Sequence, residues 1–475
     1  MMSSRITGFH AGACALALSV GAARVSAQCQ RLKLTDPNQG ATVKFGFSVA
    51  AESDVAFIGS PWHPGPGALY VCERSNGTWA PPVRYLRENG ADFDGFGWSV
   101  SASGNTAAVS AYSAREIDVL TRQPDAVWTR SAVLTQPDPR ANDQFARAIA
   151  ISGNTIVAGN RKDDDRAGDA GAVYVFERDP NGSWAQTAEL HAADGQAGDE
   201  LGHSVAIDGD RIIAGAWVDD DLGFASGSAY IFERDPNGNW TQTAKLLASD
   251  GSPLDGFGSS VAIHGEVAMG GAPSADGATH TTGAVYVFER EANGEWSEVQ
   301  KLWDDRPTTD QYGQSIALDG GMAVIGASRN ACQGQVVAGA AYVYRRQSDG
   351  LWTLQGVLQA EDCQERDEFG YSVALSGNTA VVGAWLDDDV APDGGSAYIF
   401  RVGPDEDGDG VMDACECPGD LDGDFLVSLS DLAIQLANFG LTENALPEDG
   451  DLDADGDVDL ADLSQLLSLF GTGCQ

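Results

Sequence analysis

Short runs of alternating apolar and polar residues, bounded by Gly, Asn, Asp or Pro, recur along most of this chain. Such runs predict β-strands, and their even spacing predicts an all-β protein. One run opens with an apolar ring or leucine followed by glycine, as in Phe45-Gly46-Phe47-Ser48-Val49-Ala50. It returns at Phe96-Gly97, in altered form at Phe145-Ala146, and again at Leu201-Gly202, Phe257-Gly258, Tyr312-Gly313 and Phe369-Gly370. The seven copies stand 49 to 57 residues apart, close to the period of a four-stranded propeller blade.

Four strands can be read within a copy. The first is the Phe-Gly run. A tight turn such as Ser152-Gly153-Asn154 or Asp208-Gly209-Asp210 follows, with residues that tolerate positive φ. The second strand ends in a Gly-Ala step, as at Gly215-Ala216 and Gly383-Ala384. The third is the most apolar, for example Ala172-Val173-Tyr174-Val175-Phe176-Glu177-Arg178. The fourth opens with Trp79, Trp128, Trp184, Trp240, Trp296 or Trp352. The seventh copy lacks a fourth strand, and Arg31-Leu32-Lys33-Leu34-Thr35-Asp36 resembles the fourth-strand endings Ala188-Glu189-Leu190 and Ala244-Lys245-Leu246. The N-terminal strand is therefore expected to complete the seventh blade and remove an open edge.

These Phe-Gly and Gly-Ala-Pro landmarks resemble the FG-GAP repeat, the blade unit of integrin α-type propellers, over residues 28–403. The resemblance implies a seven-bladed β-propeller and leaves the ligand open, since one scaffold serves many. Integrin-type blades often carry an Asp-x-Asp-Gly calcium loop between the first two strands. That connection is only a short turn here, so those calcium sites do not transfer. Acidic residues gather instead between strands two and three: Asp163-Asp164-Asp165 with Asp169, Asp219-Asp220-Asp221, and Asp387-Asp388-Asp389 with Asp393. Calcium needs six to eight oxygens, and consecutive aspartates point in different directions. A calcium or ligand contact and a solvated loop both stay open for these segments.

Residues 1–27 have the form of a signal peptide, with Arg5, an apolar stretch from Ala11 to Ala23, and Val25-Ser26-Ala27 before Gln28. That stretch is too short to span a bilayer, and no later segment approaches 18 apolar residues. A secreted or cell-surface-associated protein is expected, without membrane insertion. Losing Arg5 and Arg24 takes the net charge from −42 to −44. Nucleic acid is thereby excluded as an expected partner, because phosphate binding needs basic surface.

Of eight cysteines, Cys14 leaves with that segment and seven remain, so at least one is unpaired. Cys72 occupies the place of Phe176 in the third strand and reads as a buried thiol. Cys332 with Cys363, and Cys29 with Cys415, are placed to pair, and Cys417 with Cys474 bracket the end of the chain.

From Pro404 the pattern changes to acidic loops. In residues 404–417, Asp405, Asp407, Asp409 and Asp413 resemble a thrombospondin type 3 calcium repeat and read as an acidic calcium-binding linker. Asp420, Asp422, Asp424, Leu426 (through its carbonyl), Ser428 and Asp431 then stand at positions 1, 3, 5, 7, 9 and 12 of a loop. Asp451, Asp453, Asp455, Asp457, Asp459 and Asp462 repeat that register 31 residues later. Alternate carboxylates converge on one hard cation, and Gly456 supplies the tight turn that Phe425 lacks. Each loop leads into a short apolar helix, from Asp431 and from Asp462, that ends in Phe-Gly. The duplication over residues 418–475 resembles a type I dockerin, an EF-hand-like module, which implies Ca2+ binding and docking to a cohesin-like surface protein. Leu429-Ser430 and Leu460-Ala461 depart from the Ser-Thr pair frequent at the partner-choosing positions.

The five histidines beyond the leader fall at different places in different repeats, and no HExxH, G-x-S-x-G or P-loop pattern occurs. The expectation is a non-catalytic, calcium-binding propeller that binds an extracellular protein or carbohydrate and is tethered by its tail. A polysaccharide-active enzyme and a structural envelope protein are the alternatives.

Overall fold

In the computed structural model, the described residues are 30–403 apart from 38–41, 76–77, 141–142, 277–281, 305–309 and 333–334, and then 421, 427, 429–442, 450–452 and 456–470. Residues 1–27, expected to be a leader, and the carboxylates Asp405, Asp407, Asp409 and Asp413 lie outside them, as do Cys29, Cys415, Cys417 and Cys474.

The second strands explain the architecture. Thr155–Asn160 and Val267–Ala272 are buried along their whole length. A strand that is covered on both faces is apolar along most of its length, and a buried polar exception such as Asn160 is hydrogen-bonded, here to Asp163. The fourth strands, such as Trp184–Leu190, alternate half-buried and exposed positions before a buried end because one face meets solvent. Seven sheets result. Six are consecutive antiparallel meanders, and the first of these splits its last strand into Thr78–Trp79 and Val83–Leu86. In the seventh, β1 (Gln30–Thr35) pairs antiparallel with Ser396–Arg401, placing Lys33 opposite Tyr398. The ring is closed by the first strand of the described chain.

Between blades lie the cores, so that each hydrophobic cluster draws on two neighbours. Ile117 and Val119 of blade 2 pack with Phe145, Ile156 and Phe176 of blade 3. Leu34, Val381 and Ile399 of blade 7 pack with Ile58 and Tyr70 of blade 1. The Phe-Gly ring meets the third-strand tyrosine of its own blade, with centroids 5.6 Å apart for both Phe145–Tyr174 and Phe257–Tyr286.

Glycine sets how closely the blades approach. A Cβ built on Gly215 would lie 1.9 Å from the carbonyl oxygen of Gly258, and one on Gly383 2.0 Å from that of Gly46. The serine two residues after each such Phe-Gly glycine locks the contact: Ser204 Oγ donates to Gly258 O at 2.7 Å, and Ser372 Oγ to Gly46 O at 2.9 Å. Further out, the Glu-Arg pair ending the third strands forms a ladder between neighbours, with Arg234–Glu177 at 2.9 Å and Arg290–Glu233 at 2.9 Å. The interface between blades 2 and 3 accounts for the altered copy at Phe145-Ala146. Ser110 stands there in place of the second-strand glycine, and its hydroxyl donates to the Ala146 carbonyl.

Cys332 and Cys363 form a disulfide with Cα atoms 6.3 Å apart. Cys72 is a buried free thiol whose Sγ lies 2.7 Å from the Ala80 carbonyl, and burial pushes its pKa up to about 11. The tail holds α1 (Leu429–Asn438) and α2 (Leu460–Leu469). Each begins two residues before the aspartate at which the loop spacing placed its start; in α2 this is because Asp459 caps the helix and Asp462 completes a capping box from within the first turn.

Replacing Gly215 with Ala should overpack the contact with blade 5 and lower stability by roughly 1–3 kcal/mol. Gly209→Ala sits in open space with φ at +54° and should cost only the left-handed strain, about 1–2 kcal/mol. Urea midpoints of the two variants test the ordering; equal shifts would mean that close approach is not what the second-strand glycine serves.

Candidate functional site

The first strands contact one another around the axis, so the residue following each Phe-Gly lies at one mouth of the central channel. Around the ring these residues are Phe47, Trp98, Arg147, His203, Ser259, Gln314 and Tyr371. The chain leaving each second strand adds Trp62, Tyr112, Arg161, Trp217 and Trp385 to the same face. Blades 7, 1 and 2 thereby build a continuous aromatic arc. Phe47 is nearly buried at its centre, 4.9 Å from Trp62, 4.9 Å from Trp98, 5.3 Å from Tyr371 and 5.7 Å from Trp385 by ring centroids. Trp98 stacks on Tyr112 at 4.5 Å and 27°. Trp62 is 42% exposed, so the arc presents an open aromatic face to solvent.

Charged groups border the arc. Lys44 Nζ lies 4.6 Å from the Trp385 centroid, and the Arg147 guanidinium 5.5 Å from that of Trp98. Glu200 accepts from Trp217 Nε1 at 2.8 Å and pairs with Arg161 at 3.1 Å and Lys162 at 2.5 Å. Glu368 accepts from Trp385 Nε1 at 2.8 Å. His203 packs on Trp217 at 4.9 Å, and burial, helped by Arg147 and Arg161, pushes its pKa down to about 3. It is a neutral ring at physiological pH. Flat aromatic faces beside guanidinium and amide groups suit a ligand with an apolar face and a polar edge.

The sequence reading did not single out this arc. A signal was present in the residue that follows each Phe-Gly, which is aromatic in blades 1, 2 and 7. Only the ring brings those residues together.

In the triple-aspartate loops, the first aspartate of each is bonded within its own blade rather than solvated. Their first aspartates are buried: Asp163 and Asp219 accept from Tyr174 and Tyr230 at 2.7 and 2.9 Å, and Asp387 from Tyr398 at 2.8 Å. The same carboxylates close the loop turns by accepting the amides of Asp165, Asp221 and Asp389. In blade 4, Lys245 Nζ sits among Asp194, Asp219 and Asp221 at 2.9, 2.9 and 2.6 Å. In blade 7, Lys33 Nζ meets Asp362, Asp387 and Asp389 at 2.6, 2.9 and 2.5 Å. Burial alone would lower the pKa of Lys33; its bonds to the three carboxylates outweigh burial and raise it above the usual lysine range.

In the tail, the loop-closing aspartates are buried. Asp431 accepts from Leu421 N at 2.6 Å, and Asp462 from Leu452 N and Asp459 N at 2.7 Å each. Asp451 is 4% exposed; one of its oxygens accepts from Gly456 N at 2.9 Å, and the other has no hydrogen-bond partner. Asp457, Asp459 and Asp462 each place a carboxylate oxygen within 4.8 Å of the others. An all-oxygen donor set with a buried, half-satisfied carboxylate fits a hard cation. Asp420, Asp422, Asp424, Leu426, Ser428, Asp453 and Asp455 lie outside the described residues.

A family model described as FG-GAP repeat matches residues 85–121, 128–176, 184–232, 240–288, 296–344 and 352–400. The later matches run from a fourth strand to the third strand of the next blade, so the family unit straddles two blades. No curated protein matches the chain. Among solved structures, a candidate 6-phosphogluconolactonase from Bacteroides uniformis is similar over 66% of this chain and 86% of its own, at 14% identity and a TM-score of 0.47. Streptogramin B lyase is similar over 78% and 97%, at 9% identity and a TM-score of 0.48. A chain of the mitotic checkpoint complex is similar over 82% and 99%, at 14% identity and a TM-score of 0.48.

Exchanging Lys245 for Met should leave the buried Asp219 carboxylate without its cation and lower stability by roughly 3–5 kcal/mol. Tyr230→Phe removes one hydrogen bond to that group and should cost about 1–3 kcal/mol. Denaturant titration of both variants tests this. An unchanged K245M midpoint would show the ammonium to be dispensable.

Proposed function

This chain belongs to the FG-GAP repeat family, and from that premise we propose that it is a secreted, non-catalytic binding protein whose ligand sits on the aromatic arc at the channel mouth. An FG-GAP propeller fits a general binding or adhesion role. The observation that carries the finer reading is the arc itself, from Tyr371 and Trp385 through Phe47 and Trp62 to Trp98 and Tyr112. Sugar rings offer apolar C–H faces that stack on such surfaces, with hydroxyl edges for Arg147 and Arg161. An extracellular carbohydrate is therefore the favoured ligand over a protein. The Glu200 carboxylate is held by Arg161, Lys162 and Trp217, which supports positioning rather than proton transfer.

The tail serves in this reading as a calcium-loaded tether. Asp451, Asp457, Asp459 and Asp462 would hold the ion of the second loop, with the first loop closing on Asp431, and calcium would neutralise carboxylates that otherwise repel at close range. The apolar faces of α1 and α2 leave Leu436, Phe439, Leu467 and Phe470 exposed, which suits docking to a cohesin-like or other surface protein. No helix among the described residues is long and apolar enough to cross a membrane.

Titrating soluble polysaccharide fragments into the full chain should give binding without turnover, weakened tenfold or more by Trp98→Ala or Trp62→Ala, a loss of about 1.4 kcal/mol or greater. Unaltered affinity in both variants would remove the arc as the site, and product formation would reject the non-catalytic reading. Calcium calorimetry on the full chain should show one site fewer in Asp462→Ala than in wild type. If the wild-type chain takes up no calcium, the tether reading is wrong.

A further inference from the structure

The lysine that fills the acidic cluster in other blades occupies a fixed register position opposite the third-strand tyrosine. Tyr230 faces Lys245, Tyr286 faces Lys301 and Tyr398 faces Lys33. In blade 3 the residue facing Tyr174 is Glu189. The buried aspartate is retained: Asp163 is 2% exposed and accepts from Tyr174 at 2.7 Å and from Asn160 Nδ2 at 3.0 Å. A cation has thus been exchanged for a second carboxylate at a place where three sister blades seat an ammonium group.

A third donor enters this cluster, and its counterparts after Lys245 and Lys301 are Leu247 and Trp303. His191 Nε2 lies 3.0 Å from Glu189 Oε1, while its Nδ1 is buried with no hydrogen-bond partner. One donor atom from each of Asp163, Glu189 and His191 falls within 4.8 Å of the other two. Asp165, a further carboxylate nearby, is engaged by Arg140, and Gln136, which also donates to the buried Asp143, takes the place on Tyr174 that Asp194 holds on Tyr230. The nearby Arg140 is therefore already paired with Asp165 and does not replace the missing lysine.

We propose that Asp163, Glu189 and His191 form a binding site for a borderline divalent cation of the zinc class, seated where the lysine ammonium lies in blades 4 and 7. Two carboxylates and one imidazole are a ligand set suited to Zn2+, which accepts three protein ligands and a water. Calcium is disfavoured by the nitrogen donor and the small number of oxygens. Burial, together with Asp163 and Asp165, raises the Glu189 pKa despite the opposing effect of His191, as expected of a carboxylate cluster that lacks a full positive charge. The site lies between the loop that joins the second and third strands of blade 3, which carries Asp163, and the end of its fourth strand, which carries Glu189 and leads into His191; it is separate in residue content from both the channel mouth and the tail.

The competing arrangement is a protonated His191 that supplies the charge itself. Zinc calorimetry on the full chain, with calcium in excess to occupy the tail, separates the two. Wild type should bind one more zinc per chain than Glu189→Lys, which copies the sister blades and should fold as they do. His191→Ala should weaken that site by at least tenfold, and a zinc-induced rise in melting temperature should appear in wild type and vanish in E189K. Equal zinc uptake by wild type and E189K, with no zinc-dependent change in melting temperature, would overturn the proposal and leave the imidazolium as the cation.

Discussion

The contact between a second-strand glycine and the Phe-Gly glycine of the next blade is the constraint on which the ring depends. A side chain at Gly215 or Gly383 would put a carbon about 2 Å from a backbone oxygen, far inside any tolerable distance. Because both residues lack a Cβ, adjacent sheets pack close enough for Ser204 and Ser372 to bond across the seam. The two motifs that mark each repeat are therefore two halves of one interface. Where one half changes, as at Ser110, the other has changed too, at Ala146, and a hydroxyl bond spans the seam there.

That close packing places the first strands around a narrow axis and leaves their leading residues at one mouth. The scaffold is nearly uniform there, whereas the side chains are not. Aromatic rings fill blades 7, 1 and 2, arginines and a neutral histidine fill blades 3 and 4, and Ser259 and Gln314 occupy blades 5 and 6. A symmetric frame thus carries an asymmetric surface, which is the requirement for binding one ligand in one orientation. On the outer loops a Tyr-Asp-Lys cluster recurs in blades 4, 5 and 7, where the lysine faces the third-strand tyrosine, and in blade 7 Lys33 ties the closing strand to the loop between strands two and three.

Departures from a repeated pattern are where function is best sought in such a protein. Asp219 and Asp387 are buried charges with a matched cation, Lys245 and Lys33. Glu189 breaks that match in one blade only among those that retain the triple aspartate. The same residue types therefore carry different meanings, depending on the one residue that faces them across the sheet.

The sequence alone determined the seven-blade count and the four strands in each, and it placed the closing strand at Arg31–Asp36, a buried thiol at Cys72 and Cys332 near Cys363, within a residue of where the structure has them. These follow from period-two alternation and from repeat register, which are local properties of the backbone and can be counted along one chain. The helices at Leu429–Asn438 and Leu460–Leu469 were legible from the same kind of local pattern, with each end displaced by about two residues, since a start such as that of α2 is set by the side-chain bonds of its cap rather than by periodicity. Only the tertiary structure decided that Phe47, Trp98 and Tyr371 form one surface, that the loop aspartates bond to tyrosines and lysines, and that His191 joins Asp163 and Glu189. Each of those groupings takes side chains from separate strands or blades, so no local window contains the whole of one. Closing the ring is what brings the arc together, and cross-strand pairing within each blade is what builds the clusters.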